Sequence, residues 1–240
     1  MRTLRRLPEL GERHALLDLG THPGVLSVMD LLTTAGTVTG VTLTDDGRDF
    51  TIPGPGGATR TIHHSDVQSD PLPLEDASVD LVTCFETLEH VLDPMHLLIQ
   101  ANRVLRPGGT IILSTPNVLA WSVLVRSAIR RPPLHYPWLL PDLETNRHNI
   151  EYTPEQVSSM LESAGFQPSI ETDRVWGRRV SLARKALLVL AGVDPRQRGD
   201  IIFAVGVKAG PPLRRWDEAV YALTDEHRAA NDWAPVKRDR

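Results

Sequence analysis

Two glutamates and a histidine stand close together in the middle of the chain, in the segment 86–90, at the spacing Glu-x-x-Glu-His. If this segment is helical, Glu86, Glu89 and His90 share one face, because positions i, i+3 and i+4 are neighbours on a helix. Two carboxylates and an imidazole form a ligand set for a divalent metal such as magnesium, manganese or zinc. His90, or His148 later in the chain, is comparably suited to act as a general base, since the ordinary pKa of histidine is near ~6.5.

A strand, a helix and a second strand hold this segment in place. The apolar run 80–85 has the length of a buried strand. Asp93 and Pro94 are an N-cap and a first-turn proline, and they begin a helix that the sequence Pro107-Gly108-Gly109 ends. The run 110–115 is β-branched and apolar, as expected of a buried strand. The helix carries a stripe of apolar residues at helical spacing, namely Leu97, Leu98, Ala101, Val104 and Leu105.

This strand–helix–strand unit predicts a right-handed parallel crossover. Ligands of such sheets bind beyond the carboxyl ends of the strands, where the acidic segment and Asn117 both fall. The other predicted elements are a first strand from Ala15 into a glycine turn, a helix over 25–32, a strand over 37–44, a hairpin between Asp46 and Asp66, a helix from Thr153 to Gly165, strands over 170–176 and 201–207, and a helix over 182–193.

Composition narrows the class of protein. The 240 residues suit one α/β domain, and the net charge of −4 gives no general footprint for nucleic acid, so we do not expect a nucleic-acid partner. Cys84 is the only cysteine, which excludes an intramolecular disulfide and fits a reducing compartment. His63 and His64 are predicted to be surface residues. No secretory signal and no membrane-spanning run is evident, so we expect a cytoplasmic enzyme.

The words VDLVTCFETLEHVLDP, RVLRPGG and STPN, in this order, resemble the class I S-adenosylmethionine-dependent methyltransferases. Within them the chain is most similar to the branch of the ubiquinone-pathway O-methyltransferases and many natural-product and sugar methyltransferases. The resemblance covers roughly residues 14–207 and is densest over 66–117. It implies a Rossmann-like α/β domain over residues 1–210, with a mostly parallel central sheet, helices on both faces and an antiparallel last strand. Residues 211–240 would form a tail that can be partly helical.

The resemblance also implies a site for S-adenosylmethionine. Asp18, Gly20 and Gly24 match a glycine-rich loop whose backbone approaches the methionine part of the cofactor, and Asp18 would help to hold its amino group. The chain departs from the family at His22-Pro23, where a middle glycine is usual. The residues assigned to the cofactor are Asp18, Gly20, Thr21, His22, Gly24, Asp45, Asp66, Val67 and Phe85.

The ribose contact is a second departure. The family has an acid near the end of the second strand, because a carboxylate can accept hydrogen bonds from both ribose hydroxyls. Thr42 stands there in this chain, and the nearest acids are Asp45 and Asp46. Asp66 and Val67 match the family's position near the adenine. These departures leave open the alternative that the fold has lost its cofactor.

On the acceptor side, the small-RNA terminal 2′-O-methyltransferases use the Glu-x-x-Glu-His spacing, with a further histidine, to bind a metal that grips the acceptor oxygens. His148 lies where such a histidine would come from, which implies the metal set Glu86, Glu89, His90 and His148. In many other relatives the first glutamate lies near the cofactor and the histidine packs locally. Both interpretations stay open on the sequence.

The family places its variable acceptor cap after Asn117, here at about residues 118–152. Three arginines in or near its first helix, Arg126, Arg130 and Arg131, can bind an anionic acceptor or touch a membrane surface from outside. A solvated helix face is the alternative interpretation of the same residues.

The sequence therefore predicts an enzyme that transfers a methyl group from S-adenosylmethionine to a small-molecule acceptor. We favour a hydroxyl oxygen, in a natural product, a quinone precursor or a sugar, with His90 and His148 as the candidate catalytic residues. Three alternatives stay open: a metal-dependent RNA 2′-O-methyltransferase, a methyltransferase that acts on nitrogen or carbon, and a non-catalytic binding protein on a degenerate methyltransferase fold.

Overall fold

The computed structural model describes residues 15–21, 37–44, 46–54, 59–128, 148–173 and 197–213. Eight strands form one sheet in the order β3-β4-β2-β1-β5-β6-β8-β7. The strands are β1 (Ala15–Leu19), β2 (Thr37–Thr42), β3 (Phe50–Pro53), β4 (Thr59–His64), β5 (Val79–Phe85), β6 (Leu105–Pro116), β7 (Phe166–Asp173) and β8 (Ile201–Lys208). The described helices are α1 (Pro94–Val104), α2 (Trp121–Ala128), α3 (Pro154–Ser163) and a short 3-10 helix, Leu88–His90.

The sheet is mostly parallel. Strands β4, β2, β1, β5 and β6 pair in parallel, whereas β8 lies antiparallel between β6 and β7. This arrangement confirms the predicted Rossmann-like sheet with an antiparallel last strand. The predicted hairpin is β3 and β4, which pair antiparallel at one edge, so a strand stands where the family commonly has a helix.

Helix α1 forms as predicted but ends earlier. The Asp93 carboxylate accepts a hydrogen bond from the backbone N–H of His96 at 2.9 Å, and Pro94 occupies the first turn. The helix ends at Val104, and β6 begins at once with Leu105, which pairs with Val79. The sequence Pro107-Gly108-Gly109 therefore lies inside β6, where the pairing register with β5 shifts, and does not end the helix.

The later elements confirm the predicted order with shifted boundaries. Thr153 and Gln156 form a complete capping box at the start of α3. Gly165 follows this helix with a φ of +87° and leads directly into β7, which begins at Phe166 and not at residue 170. The predicted helices 25–32 and 182–193 and nearly all of the tail lie outside the described residues.

Apolar side chains pack on both faces of the sheet. The larger cluster joins β1, β5 and β6 to α1 and α3, and the smaller one lies on the opposite face around Leu16, Ile62 and Leu81. The larger cluster continues past the carboxyl ends of β4 and β5 through Val67, Leu88 and Val91. Among the helices that the structure describes, none is long and apolar enough to span a membrane.

Candidate functional site at the carboxyl edge of the sheet

Two turns meet at the carboxyl edge of the sheet. β1 leads into Gly20 and Thr21, here called the β1 turn, and β5 leads into residues 86–90, here called the acidic turn. β2 and β4 lie on one side of β1 in the sheet, and the later strands β5 and β6 lie on its other side. The two turns therefore flank the point where the strand order reverses, which is where ligands bind in such sheets.

Asp18 is a buried carboxyl at the end of β1, with 1% of the residue exposed. Thr83 on β5 donates a hydrogen bond to its Oδ1 at 2.7 Å. Within the described part of the chain, Oδ2 has no hydrogen-bond partner. Burial raises the pKa of Asp18 to about 6, against the lowering effect of the Thr83 and Thr21 hydroxyls. An unpaired buried carboxylate is unfavourable, so this position fits a cationic donor such as the amino group of S-adenosylmethionine.

The β1 turn requires glycine at its first position. Gly20 has a φ of +72°, and a Cβ atom there would overlap the hydroxyl of Thr87 in the acidic turn. The backbone N–H groups of Gly20 and Thr21 both donate to the carbonyl of Val41, at 2.9 and 3.1 Å. The Thr21 hydroxyl donates to the Asp18 carbonyl at 2.8 Å. These bonds fix the β1 turn between the end of β2 and the acidic turn.

The end of β2 carries no carboxylate. β2 ends at Thr42, two residues before the predicted end, and the Ser65 N–H closes the ladder by donating to the Thr42 carbonyl. Asp46 lies beyond the strand, where its Oδ1 accepts a hydrogen bond from the Arg48 N–H at 3.1 Å. The end of β2 therefore lacks the acid that the family has there, in the structure as well as in the sequence.

Three more residues assigned to the cofactor lie at the same edge. Both carboxylate oxygens of the half-buried Asp66 accept hydrogen bonds from Gln68, at 3.2 and 3.0 Å. Val67 belongs to the larger apolar cluster. Phe85 ends β5 and packs against the smaller cluster. The structure thus brings these residues to the expected edge, with Asp66 held by its own turn.

The acidic turn differs from the single helical face that the spacing suggests. Glu86 has a φ of +48°, and only Leu88–His90 form a turn of 3-10 helix. The carboxylate of Glu86 is exposed and accepts a hydrogen bond from the Ser114 hydroxyl at 2.6 Å. The left-handed residue turns the chain before the helix begins, and Glu86 is not in the group of ligand atoms that Glu89, His90 and His148 form.

Glu89 is the second buried carboxyl of the site, with none of the residue exposed. The Thr115 hydroxyl on β6 donates to its Oε2 at 2.9 Å. No described residue bonds to Oε1. Burial raises the pKa of Glu89 to about 7, and the charge of Glu86 adds to this effect, while Thr115 and His148 oppose it. The carboxyl is therefore poised to exchange a proton or to accept a cation near neutral pH.

Two imidazoles accompany Glu89. His90 Nε2 lies 4.0 Å from Glu89 Oε1, and the rings of His90 and His148 meet edge to face with centroids 5.1 Å apart. One ligand atom from each of the three residues lies within 4.8 Å of the other two. His148 Nδ1 is also 3.4 Å from a carboxylate oxygen of Glu151. This arrangement can hold a divalent cation or move a proton, and Glu86 is not part of it.

Sequence reasoning missed the threonines that serve the two carboxyls. Thr83 and Thr115 lie in buried strands, where a β-branched residue is expected for packing alone, so their type gives no signal of a hydrogen bond. Asn117 has a structural role in place of a chemical one: its amide donates to the carbonyls of Gln197 and Gly199, both at 2.8 Å. It ties the end of β6 to the segment before β8.

Some predicted site residues lie outside the described part of the chain. His22, Gly24 and Asp45 are among them, as are Arg130 and Arg131 and the side chain of Arg126. Of the predicted acceptor cap, the structure describes its two ends, residues 118–128 and 148–152.

Comparison with known proteins gives a consistent result. A protein-family profile described as a methyltransferase domain matches residues 1–169. A Mycolicibacterium smegmatis protein named "Probable S-adenosylmethionine-dependent methyltransferase" is 33% identical over 63% of this chain and 49% of its own length. A ubiquinone biosynthesis O-methyltransferase of Hydrogenovibrio crunogenus is 30% identical over 65% of this chain and 63% of its own. The chain thus spans about half to two thirds of the length of these two curated relatives.

The fold also has solved counterparts. The crystal structure of a SAM-dependent methyltransferase from Archaeoglobus fulgidus matches with a TM-score of 0.56 and 20% identity, over 86% of this chain and 91% of that one. At this identity the likeness concerns the fold alone.

Proposed function

Since the chain belongs to the class I S-adenosylmethionine-dependent methyltransferases, we propose that it transfers a methyl group from S-adenosylmethionine to a hydroxyl oxygen of a small-molecule acceptor. The observation that carries the proposal is the pair of buried carboxyls at one sheet edge, Asp18 and Glu89, each with one oxygen that no described residue satisfies. The first suits a cofactor ammonium, and the second, with its two imidazoles, suits an acceptor that must lose a proton.

On the cofactor side, the Asp18 carboxylate would accept a hydrogen bond from the amino group, and the β1 turn would bring its backbone close to the methionine part. When bound, S-adenosylmethionine supplies an activated methyl group on a sulfonium. We assign the adenine to Asp66 and Val67 and the ribose to Asp45 or Asp46. His22, Gly24 and Phe85 complete the proposed set, as neighbours of the β1 turn and of the end of β5.

On the acceptor side, a hydroxyl needs to lose its proton as the new bond to carbon forms. His90 or His148 would take this proton as general base, since imidazole titrates near neutral pH. The buried carboxylate of Glu89 would stabilise the resulting imidazolium. The remainder of the rate would come from holding the two reacting groups in line and away from water.

A divalent metal is the second candidate for the same step. Glu89, His90 and His148 offer three ligand atoms in one group, and a carboxylate with two imidazoles suits zinc or manganese. A bound cation would lower the pKa of an acceptor hydroxyl and so replace the general base. Glu86 was part of the predicted set, but its hydrogen bond with Ser114 favours a set of three.

Calorimetric titration with S-adenosylhomocysteine and S-adenosylmethionine, with chelator and then with zinc or manganese, tests the proposal. We expect micromolar affinity, about −8 kcal/mol. Methyl transfer to a hydroxyl acceptor should exceed transfer to its amine analogue. Preference for the amine would support the nitrogen methyltransferase, and activity on RNA ends would support the RNA enzyme. Absence of cofactor binding under all conditions would contradict the proposal and favour a binding protein.

A further inference from the structure

We propose that His64 is a positioning residue for the cofactor ribose. It anchors the β2 loop, defined as residues 43–49, of which all but residue 45 are described, to the end of β4. The inference rests on the proposed binding of S-adenosylmethionine and concerns Asp46, which is assigned to the ribose and lies among the described residues of this loop.

The side chain of His64 holds the near end of the loop. The Thr44 backbone N–H donates to His64 Nδ1 at 3.0 Å, and the Thr44 hydroxyl lies 2.9 Å from the same nitrogen. A backbone N–H can only donate, so Nδ1 acts as the acceptor and the neutral ring carries its proton on Nε2. The imidazole therefore takes one defined tautomer at this position.

The backbone of His64 holds the far end of the same loop. Its N–H donates to Asp49 Oδ1 at 2.8 Å, and the other oxygen of Asp49 lies 2.7 Å from His63 Nδ1. These two bonds keep the pKa of Asp49 below its ordinary value, the backbone bond contributing most. One residue of β4 thus fixes both residue 44 and residue 49.

The loop also has bonds of its own, which preserve its shape but do not fix its place. The Gly47 N–H donates to the Thr44 carbonyl at 3.2 Å, and the Arg48 N–H donates to the Thr44 hydroxyl at 3.0 Å. Asp46 accepts from the Arg48 N–H as well. These contacts stay inside the loop. Apart from β2 and β3, with which its two ends are continuous, the described contacts that tie it to the sheet are those with the end of β4.

The position of this anchor matters because of where β2 and β4 end. Thr42 and His64 are partners in the parallel ladder and are the last residues of their strands. Beyond them lies the edge at which the β1 turn is held by the Val41 carbonyl. β2 itself ends without a carboxylate. Among the described residues of the loop that follows, Asp46 is an acid that can reach a ribose there, and His64 ties this loop to the end of β4.

Two variants of His64 distinguish the loss of its contact with the loop from a general loss of stability. His64→Leu removes the acceptor for the Thr44 N–H, whereas His64→Asn can restore it, because Asn Oδ1 stands about where Nδ1 does. Both variants are titrated calorimetrically with S-adenosylhomocysteine and with its 2′,3′-dideoxyribose analogue, which lacks both hydroxyls that the loop would bind. We expect His64→Leu to weaken binding of the ribose ligand about tenfold, the effect of about one hydrogen bond. His64→Asn should stay within about twofold of wild type.

The affinity for the analogue distinguishes loss of the ribose contact from a general structural change, because a structural change would weaken the binding of both ligands. His64→Leu should bind the 2′,3′-dideoxy ligand about as well as the wild type does, because that ligand has no ribose hydroxyl for the loop to bind in either protein. Asp49→Ala frees the far end of the loop at an exposed position and should weaken ribose binding in the same selective way. Equal weakening of both ligands, or no weakening, overturns the role of His64. Failure of the wild-type protein to bind S-adenosylhomocysteine overturns this role and the proposed function together.

Discussion

The proposed cofactor side and the proposed acceptor side of the site share one arrangement of residues. Each has a buried carboxyl, Asp18 or Glu89, and each carboxyl has one oxygen bonded to a threonine hydroxyl from a neighbouring strand. In each the second oxygen has no partner within the described chain, and burial raises the pKa, to about 6 for Asp18 and about 7 for Glu89.

The two sides differ in what stands opposite the unsatisfied oxygen. Among the described residues, no charged group contributes to the pKa of Asp18, whereas Glu86 and His148 both act on that of Glu89. A carboxyl without a resident cation depends on its ligand for one, which suits binding. A carboxyl accompanied by imidazoles already has proton acceptors beside it, which suits chemistry. Burial raises the pKa of both carboxyls, and the neighbouring groups distinguish a carboxyl suited to binding from one suited to proton transfer.

The largest expected effect is on the binding side. Asp18→Asn keeps the shape of the side chain and can keep the Thr83 bond, but it removes the charge that we expect to face the cofactor ammonium. Affinity for S-adenosylhomocysteine should fall about 100-fold or more, because loss of one partner of a buried charge pair costs ~2–5 kcal/mol. Calorimetric titration measures this, with the exposed Asp76→Asn as matched control. Retention of wild-type affinity would remove Asp18 from the cofactor site.

The next effect should fall on catalysis alone. Glu89→Gln removes the negative charge beside His90 and His148, so methyl transfer should slow about 100-fold, within the range of proton-transfer catalysis. The dissociation constant of S-adenosylhomocysteine should change little. Steady-state kinetics and titration on the same preparation check both statements. If binding weakened as strongly as in Asp18→Asn, the two sides would not be separable in function.

The carboxyls should also be visible in the pH dependence of stability. Each has a folded-state pKa above its unfolded value, so the folded chain holds more protons between about pH 4 and pH 7. Their contribution to stability is present below pH 4 and is lost as the pH rises through 6 and 7. At pH 8 the Asp18→Asn and Glu89→Gln proteins should each be about 3 kcal/mol more stable than wild type.

Urea unfolding at pH 8 and at about pH 4.5 measures this difference, which should shrink at the lower pH. A variant that is less stable than wild type at pH 8 would mean that the buried carboxyl has a cationic partner in the free protein.

The smallest effect concerns Glu86. Its amide replacement, Glu86→Gln, can still accept the hydrogen bond from Ser114, so stability should change by less than ~1 kcal/mol. Retention of zinc or manganese, measured after gel filtration, should match wild type within about twofold, whereas His148→Ala should lose the metal. Equal losses in both variants would restore the set of four ligands that the spacing suggests.

The sequence predicts the frame of this site better than its interior. The strand–helix–strand unit and the capping residues Asp93 and Thr153 follow from local patterns, and the structure confirms them. Residues 86–90 do not form the continuous helical turn that would place both glutamates and the histidine on one face, because Glu86 lies in the left-handed region and turns the chain. That conformation depends on contacts with β6, which lies far along the chain.

The hydrogen-bond partners of the buried carboxyls also lie far away in the sequence, so local patterns do not reveal them. Thr83 is separated from Asp18 by 65 residues and Thr115 from Glu89 by 26. Nothing in the local pattern of a β-branched strand marks one threonine as a donor. His64 is predicted to lie at the surface, whereas in the structure it is half-buried and its Nδ1 accepts a hydrogen bond from the Thr44 N–H, a contact that joins the ends of β2 and β4.

The close fit of Gly20 against Thr87 has a consequence for how this sequence can vary. A side chain at position 20 is excluded first by the hydroxyl of Thr87 and then by the positive φ. Thr87 in turn donates toward the carbonyls of Leu19 and Phe85, at 3.3 and 3.0 Å, and so joins the ends of β1 and β5. We therefore expect substitutions at the two positions to be epistatic. A library that randomises the acidic turn should, at Thr87, also select for the shape of the β1 turn.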